Sequence, residues 1–593
     1  MKKLTKYLVF IACTFSLSFG LQSCLDFDEP GDEMTNGQEQ EENVVYRGEA
    51  DRIDYRKEIS EEGFAEAEKI LGSKLGQLIT AQYSMRGGKD GNAPGAHAYQ
   101  YQFTMTVDNY AGYSTLPQNF DGRMRSTYYK STDFNSGPNG SFIIVKNQLV
   151  PLLNHPQIDS IPEIKALALL LYDYASQEIA DIYGPFPYIN YKENQEDHPF
   201  TYNTMPEIYN TIVDNIDTIT TCFEHYAERP EWYKKKVSSI MQKRDKVTLD
   251  KSFDTWIRFA NSLKLRMAMH IVKINPEKAQ KWAEEAIAGG VIETRSQEVR
   301  LDPMYEGFSH PLAEISQTWN DTRLNASFES LLVSLKHPYA DYLFLKNEYP
   351  ITNSNDPTKV LPANSRLVGL RAGILMKPGQ DVKSNPRVAY SRLISDETIV
   401  LAPIYLMKIS EVDFLRAEGA LRGWQMGGST QMFYNRGIDN AAVENRDMPS
   451  IYEDKLADYK AIENAIAYVY EDPMDEANNI TSVTKIGVKW NEGDDREIKL
   501  EKIITQKYIA GYPYSFEAWT DLRRTGYPKI FPVLNASDGD GSLQQGDLIR
   551  RMPFPGDTDS AIEDINTTGL DALGGSDKQG TRLWWDVVGK GNF

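Results

Sequence analysis

Cysteine is scarce: three occur in 593 residues, at positions 13, 24 and 222. Cys13 and Cys24 belong to an N-terminal segment described below, which leaves Cys222 alone. The body of the chain therefore has no intramolecular disulfide and must be held by its core. Cys222 follows Thr221 in a helical pattern and reads as a small core hydrophobe rather than a nucleophile. Histidine is nearly as rare. His97, His155, His198, His225, His270, His310 and His337 are scattered, and no two have the i, i+4 spacing of a helical zinc pair. Neither a Gly-x-Ser-x-Gly elbow nor a phosphate-cradling glycine loop is present. Beyond the first residues no stretch holds 18 consecutive apolar side chains, the signature of a membrane-spanning helix. Positive charge is short as well: 64 Lys and Arg face 84 Asp and Glu, a net charge of −20. Such a surface repels phosphate backbones and argues against nucleic acid as a partner.

Carboxylates are abundant, so a glycosidase pair has to be considered. It would need two carboxyls about 5–9.5 Å apart across a sugar site. The groups Glu193/Glu196/Asp197 and Glu492/Asp494/Asp495 lie in polar loops and read as solvated surface. Asp538-Gly539-Asp540-Gly541 with Asp547 has part of a calcium loop's acidic spacing but lacks its closing Glu, and reads as a polar turn. No cofactor, metal or catalytic constellation is expected.

What is present begins at the N-terminus. Lys2, Lys3 and Lys6 precede an apolar run from Tyr7 to Phe19, followed by Leu21-Gln22-Ser23-Cys24. A basic start, a short apolar core and small residues before a cut site make an export signal. The run is shorter than the roughly 20 residues a spanning helix needs. The cysteine that follows resembles the lipobox of bacterial lipoproteins, which implies cleavage after residue 23 and a lipid on Cys24. Residues 24–50 are acidic and poor in apolar side chains, as in Asp26-Phe27-Asp28-Glu29, and read as a flexible tether.

From residue 51 onward one domain is expected, with a helical scaffold over roughly 55–300 and 400–530. Phe64, Ala67, Leu71, Leu75, Leu78 and Ile79 repeat at helical spacing. The series Ile164–Ile179 and Trp256–Ile271 do the same, and further helices are predicted at 204–225, 276–289, 409–422, 430–444, 455–470 and 498–510. Short connections such as Asn275-Pro276 favour stacked antiparallel pairs. Long segments rich in Gly, Asn, Pro and Tyr (86–140, 184–203, 300–400 and 531–593) lie between them and carry a large aromatic surplus: 34 Tyr, 23 Phe and 9 Trp in the chain. The fold class expected is mostly α with little β.

Several blocks carry a resemblance: Ala180-Asp181-Ile182-Tyr183-Gly184-Pro185-Phe186-Pro187-Tyr188; Trp256-Ile257-Arg258-Phe259-Ala260-Asn261; Ser410-Glu411-Val412-Asp413-Phe414-Leu415-Arg416-Ala417-Glu418; Ala518-Trp519-Thr520-Asp521-Leu522-Arg523-Arg524; and Trp584-Trp585-Asp586. Together, in this order behind a lipobox, they resemble the SusD/RagB family of outer-membrane nutrient-uptake lipoproteins. The resemblance implies a TPR-like scaffold of antiparallel helix pairs with a loop-rich ligand side. It implies no enzymatic activity. It further implies a lid over a TonB-dependent SusC-like transporter barrel, capturing an oligosaccharide or a peptide at the outer membrane. The acidic residues after Cys24 resemble the surface-export signal of Bacteroidetes lipoproteins. A surface glycoside hydrolase is the alternative of another class, and a purely structural lipoprotein a third.

Arg258, Asn261 and Arg266 share one helix face, as do Glu411 and Glu418, and these read as inter-helix ties. The binding candidates are aromatic and polar residues outside helical periodicity. Asp108, Asn109, Tyr110 and Tyr113 follow Tyr99, Tyr101 and Phe103 in a glycine-rich region. There Tyr rings would stack on a sugar while Asp and Asn bond its hydroxyls. Trp319 and Arg323, within Trp319-Asn320-Asp321-Thr322-Arg323, are the further candidates.

Overall fold

The computed structural model describes residues 44–593 except 90, 119, 121–124, 127, 129–136, 377–383, 395–396, 445–448 and 537–538. The export signal, Cys24 and most of the tether lie outside the described residues, as does Asp538. The tether's last residues are not loose. Tyr46 N–H donates to Thr211 Oγ1 at 3.2 Å, Arg47 donates to Asn215 Oδ1 at 2.5 Å, and Ala50 is buried. The packed body therefore starts before the expected boundary at residue 51.

The architecture is mostly helical and TPR-like, with little strand. Helices adjacent in the chain pack in pairs: Met205–His225 on Pro162–Tyr183, Pro276–Ala288 on Phe253–His270, and Thr430–Glu444 on Ile409–Leu421. Local chemistry sets their ends. Thr204 and Glu207 form a reciprocal capping box ahead of Met205–His225, and Asn275 caps Lys278 N–H with Pro276 at the first helical position. Strands among the described residues form short two-stranded antiparallel ladders, including Ser114–Thr115 with Arg323–Leu324.

The helix Pro162–Tyr183 is buried along its whole length. Such a helix must bring partners for every polar group it carries. Glu163 accepts from Arg229 at 3.0 Å, and Asp173 accepts from Tyr188 at 2.6 Å and Asn215 at 2.9 Å. Glu178 is bridged by both terminal nitrogens of Arg86, at 3.1 and 2.8 Å. Asp181 accepts from Tyr209 at 2.5 Å and Trp585 at 2.7 Å.

The family-like blocks behave as structural ties. Arg266 grips Glu411 through Nε at 2.7 Å and Nη2 at 3.0 Å, and Arg524 grips Glu418 at 2.9 and 2.7 Å. Arg523 stacks 3.6 Å from the Trp519 ring centroid and 4.8 Å from that of Trp585. Arg258 and Asn261 donate to the Val291 and Gly290 carbonyls at 3.0 Å each, closing the turn after Pro276–Ala288.

Asp181, His270 and Glu517 form a buried group with ligand-like spacing. Its geometry is that of an ion triad. His270 Nδ1 lies 3.2 Å from Asp181 and Nε2 3.1 Å from Glu517, so each nitrogen already serves a carboxylate. Burial alone would lower the imidazole pKa, but Glu517 and Asp181 raise it to about 9. The folded value exceeds the unfolded value of about 6.5, so protonation stabilises the fold. That contribution is fully present below about pH 6.5 and is lost as pH rises through about 9. Melting temperature should therefore fall over this window, and fall less steeply in His270→Gln. Equal slopes in wild type and variant would show the imidazole is not protonated.

Candidate functional site

Residues 96–111 read from sequence as part of a glycine-rich loop. They are instead helical: Ala96–Tyr99 continues into a π-helical stretch, Gln100–Val107, and a last turn, Asp108–Ala111. Gly112 ends it at φ +79°, a left-handed conformation that favours glycine. The strand Ser114–Thr115 follows at once and pairs with Arg323–Leu324. This pairing sets the start of the helical segment beside the turn 318–322, which leaves the helix Pro311–Gln317.

The expectation for Asp108, Asn109, Tyr110 and Tyr113 is corrected here. All four are buried, and the two tyrosines are each 1% exposed, with no ring face for a sugar. Tyr110 packs on Trp519 and Tyr128 at centroid distances of 5.4 and 5.5 Å. Tyr113 sits among Phe328, Tyr508 and Tyr512, its hydroxyl donating to the Tyr508 carbonyl. Burial pushes the Asp108 carboxyl up to about 7, with nearby Ser515 acting in the opposite direction. The helix terminus is inside because Ser515–Thr525 packs across it, Trp519 lying on Tyr110.

Arg323 is corrected in the same way. Its guanidinium is 1% exposed and donates to carbonyls of Asn320 (3.2 Å), Thr322 (2.7 Å) and Val388 (3.0 Å). Burial first, and then neighbouring Arg392, lower its pKa to about 9. It braces the turn from beneath. With Asp108 and Tyr113 it lines a small internal cavity of about 10 Å³, too small for a sugar.

Trp319 has a different setting. Its ring is half-buried, packed against the core, and lies 4.6 Å from the exposed His97 ring at 43°. Tyr101 stands four residues after His97, on the same side of the helical segment, and is 42% exposed. Polar groups border these rings. Asp321 accepts from Gln100 Nε2 at 2.8 Å and from Gln118 Nε2, and burial raises its pKa. Asn320 and Gln118 are partly exposed, and Asn320 takes a left-handed φ of +59°, a conformation Asn tolerates. The surface thus offers flat rings for stacking beside amides and a carboxylate already oriented by hydrogen bonds. His97 and Tyr101 were the residues missed by sequence reasoning; their i, i+4 spacing is the signal that finds them.

The SusD-like family model, described as SusD and RagB outer-membrane lipoproteins, matches residues 54–586. A search of curated proteins finds no match. Among solved structures, a chitin-binding SusD homologue from Flavobacterium johnsoniae is 28% identical with a TM-score of 0.73, over 88% of this chain and 100% of that one. A SusD-like protein from Bacteroides thetaiotaomicron is also 28% identical, with a TM-score of 0.69 over 86% of this chain and 98% of that one. A SusD homologue from Bacteroides vulgatus shares the fold at 24% identity, with a TM-score of 0.73 over 89% and 100%. No helix among the described residues is long and apolar enough to cross a membrane. The shared fold and a family match running almost end to end establish that this chain belongs to the SusD-like family of outer-membrane lipoproteins.

Proposed function

We propose that this chain is a cell-surface lipoprotein, anchored through Cys24, that captures an oligosaccharide and delivers it as a lid to a TonB-dependent SusC-like barrel. The observation that carries the reading is the His97–Trp319 ring pair at the surface, with exposed Tyr101 four residues after His97 and with Asn320, Gln118 and Asp321 beside Trp319. A pyranose ring presents a CH-rich face that stacks on such rings, while its hydroxyls both donate and accept at the amides and the carboxylate. The reading needs binding and release only, with no bond made or broken. A structural relative named for chitin binding adds support for a sugar ligand.

Calorimetric titration with N-acetylglucosamine, glucose and xylose oligomers, and with a peptide mixture, tests it. A sugar should bind, and Trp319→Ala and Tyr101→Ala should each weaken it by about tenfold or more. Tyr101 is exposed, so Tyr101→Ala should move melting temperature little, while Trp319→Ala also removes a ring packed on the core and its affinity is read on the folded fraction. Sugar affinity untouched by both substitutions would overturn the site. Peptide binding in place of sugar would overturn the ligand class.

A further inference from the structure

The first described residues, 44–51, lie as an arm on the packed body, and polar contacts hold it there. Ala50 is its one fully buried apolar side chain, and Val44 and Val45 are exposed. Beyond the bonds of Tyr46 and Arg47 to the helix Met205–His225, two lysines of the body grip the arm. Lys165 donates to the Glu49 carbonyl at 2.9 Å and pairs with Asp159 at 2.9 Å. Lys192 bonds the Asp51 carboxylate, with both side chains fully enclosed. Its ammonium lies 5.1 Å from the centroid of the Tyr46 ring and 4.7 Å from that of Tyr188.

These contacts leave the arm close to balance. Asp51 Oδ1 is buried and meets no donor, a loss that water reverses on release. A buried ion pair adds little net hold, because both charges regain water when they part. The carboxylates Asp51, Asp173 and Glu193 share Lys192, since Arg47 and Lys165 are paired with Asp214 and Asp159. Like charge therefore meets across the joint, with Asp51 on the arm and Glu193 on the body. Burial raises both carboxyls above their ordinary values, Asp51 adds to the rise at Glu193, and Lys192 opposes it in each. With so little apolar area buried, the hydrophobic term that fixes the core is small here.

We propose that residues 44–51 are a detachable strap, which holds the end of the tether against the body when docked and lengthens the tether when released, the body staying folded. Release is a local opening of the kind that low-stability segments undergo. It adds up to about 26 Å of extended chain, at about 3.3 Å per residue. For a chain anchored through Cys24, that slack sets how far a lid lifts from its barrel. This use of the strap rests on the anchored-lid reading, whereas detachment itself does not, so the two fail separately.

Trypsin reads the release directly, because Arg47 is the first Lys or Arg after Lys6 and one cut there removes the tether. The full chain is digested under native conditions, and the cut after Arg47 is scaled to its rate in the urea-unfolded chain. The bond should be cut while the body stays whole. Cutting should quicken about tenfold or more in Asp51→Ala, which leaves Lys192 enclosed without its partner. Glu193→Gln removes the like charge facing Asp51 and should slow the cut. Cutting after Arg47 only as fast as the body is digested overturns the proposal. So does a rate unchanged by Asp51→Ala or quickened by Glu193→Gln.

Discussion

Arg86→Ala should destabilise the fold by about 3–5 kcal/mol, the cost of removing one partner from a buried ion pair. Arg86 is 1% exposed and has no water to fall back on. Its guanidinium makes a two-pronged bond to Glu178, donates through Nε to the Tyr405 carbonyl at 2.9 Å, and lies 4.5 Å from the Tyr514 ring centroid. Truncation leaves the buried Glu178 carboxylate, near the end of that helix, without its cation and with the Tyr514 hydroxyl as a remaining donor. Urea unfolding would measure the effect as a drop in midpoint at constant slope. Replacing both partners by apolar residues of similar volume should restore much of the loss, since neither charge is then left alone. A loss under about 1 kcal/mol for the single variant would mean that the Tyr514 hydroxyl suffices to satisfy Glu178.

Tyr113→Ala should cost a similar amount, about 3–5 kcal/mol, as large aromatic truncations in a core do. The ring fills space between Phe328, Tyr508 and Tyr512, and its hydroxyl bonds the Tyr508 carbonyl. Both the cavity and the stranded carbonyl contribute to the cost. The measurement that separates this from a ligand role reads stability and affinity together. Unfolding midpoint should fall sharply, while the fraction still folded binds sugar at wild-type strength. The reverse pattern, affinity lost at unchanged stability, would return the 108–113 turn to the binding site.

That misplacement shows where sequence stops being legible here. Helices with one apolar stripe and a polar face are readable, and Met205–His225, Pro276–Ala288 and Thr430–Glu444 lie where the periodicity puts them, within a residue or so. Elements covered on more than one side lack that contrast. The stretch 96–111 buries Gln100, Gln102, Asp108 and Asn109 along with its aromatics, so its pattern shows no face and its glycine-rich flanks suggest a loop. Gly137–Leu153 opens on Gly-Pro-Asn-Gly, a turn-like start, and carries Pro151, which hides a 17-residue helix. The single helix expected from Phe64 to Ile79 breaks at Gly72 into a 3₁₀ turn. The helix expected over 455–470 ends at Lys460. The segment 300–400, expected as loop, contains the helices Pro311–Gln317 and Ala326–Ser334.

The candidate site divides along the same line. Trp319 is conspicuous as a residue, but its value depends on His97 and Tyr101, more than 200 positions earlier and joined to it by a two-residue ladder. No local pattern encodes that meeting. The inter-helix ties were easier to read, because an arginine and a carboxylate on facing stripes have few other reasons to be apolar-flanked.

The wholly enclosed helix Pro162–Tyr183 also sets the order in which the molecule can be completed. Its Asp181 receives a donor from Trp585, 404 positions later, and Arg523 donates to its carbonyl at 2.7 Å. During synthesis the helix emerges early, yet its last partners arrive only as the final residues do. Until then a half-covered spine carrying unpartnered polar groups has to wait, exposed to the wrong partners. Released chains truncated before Trp585 should therefore be more sensitive to protease than the full chain, a vulnerability that ends only when the last segment docks.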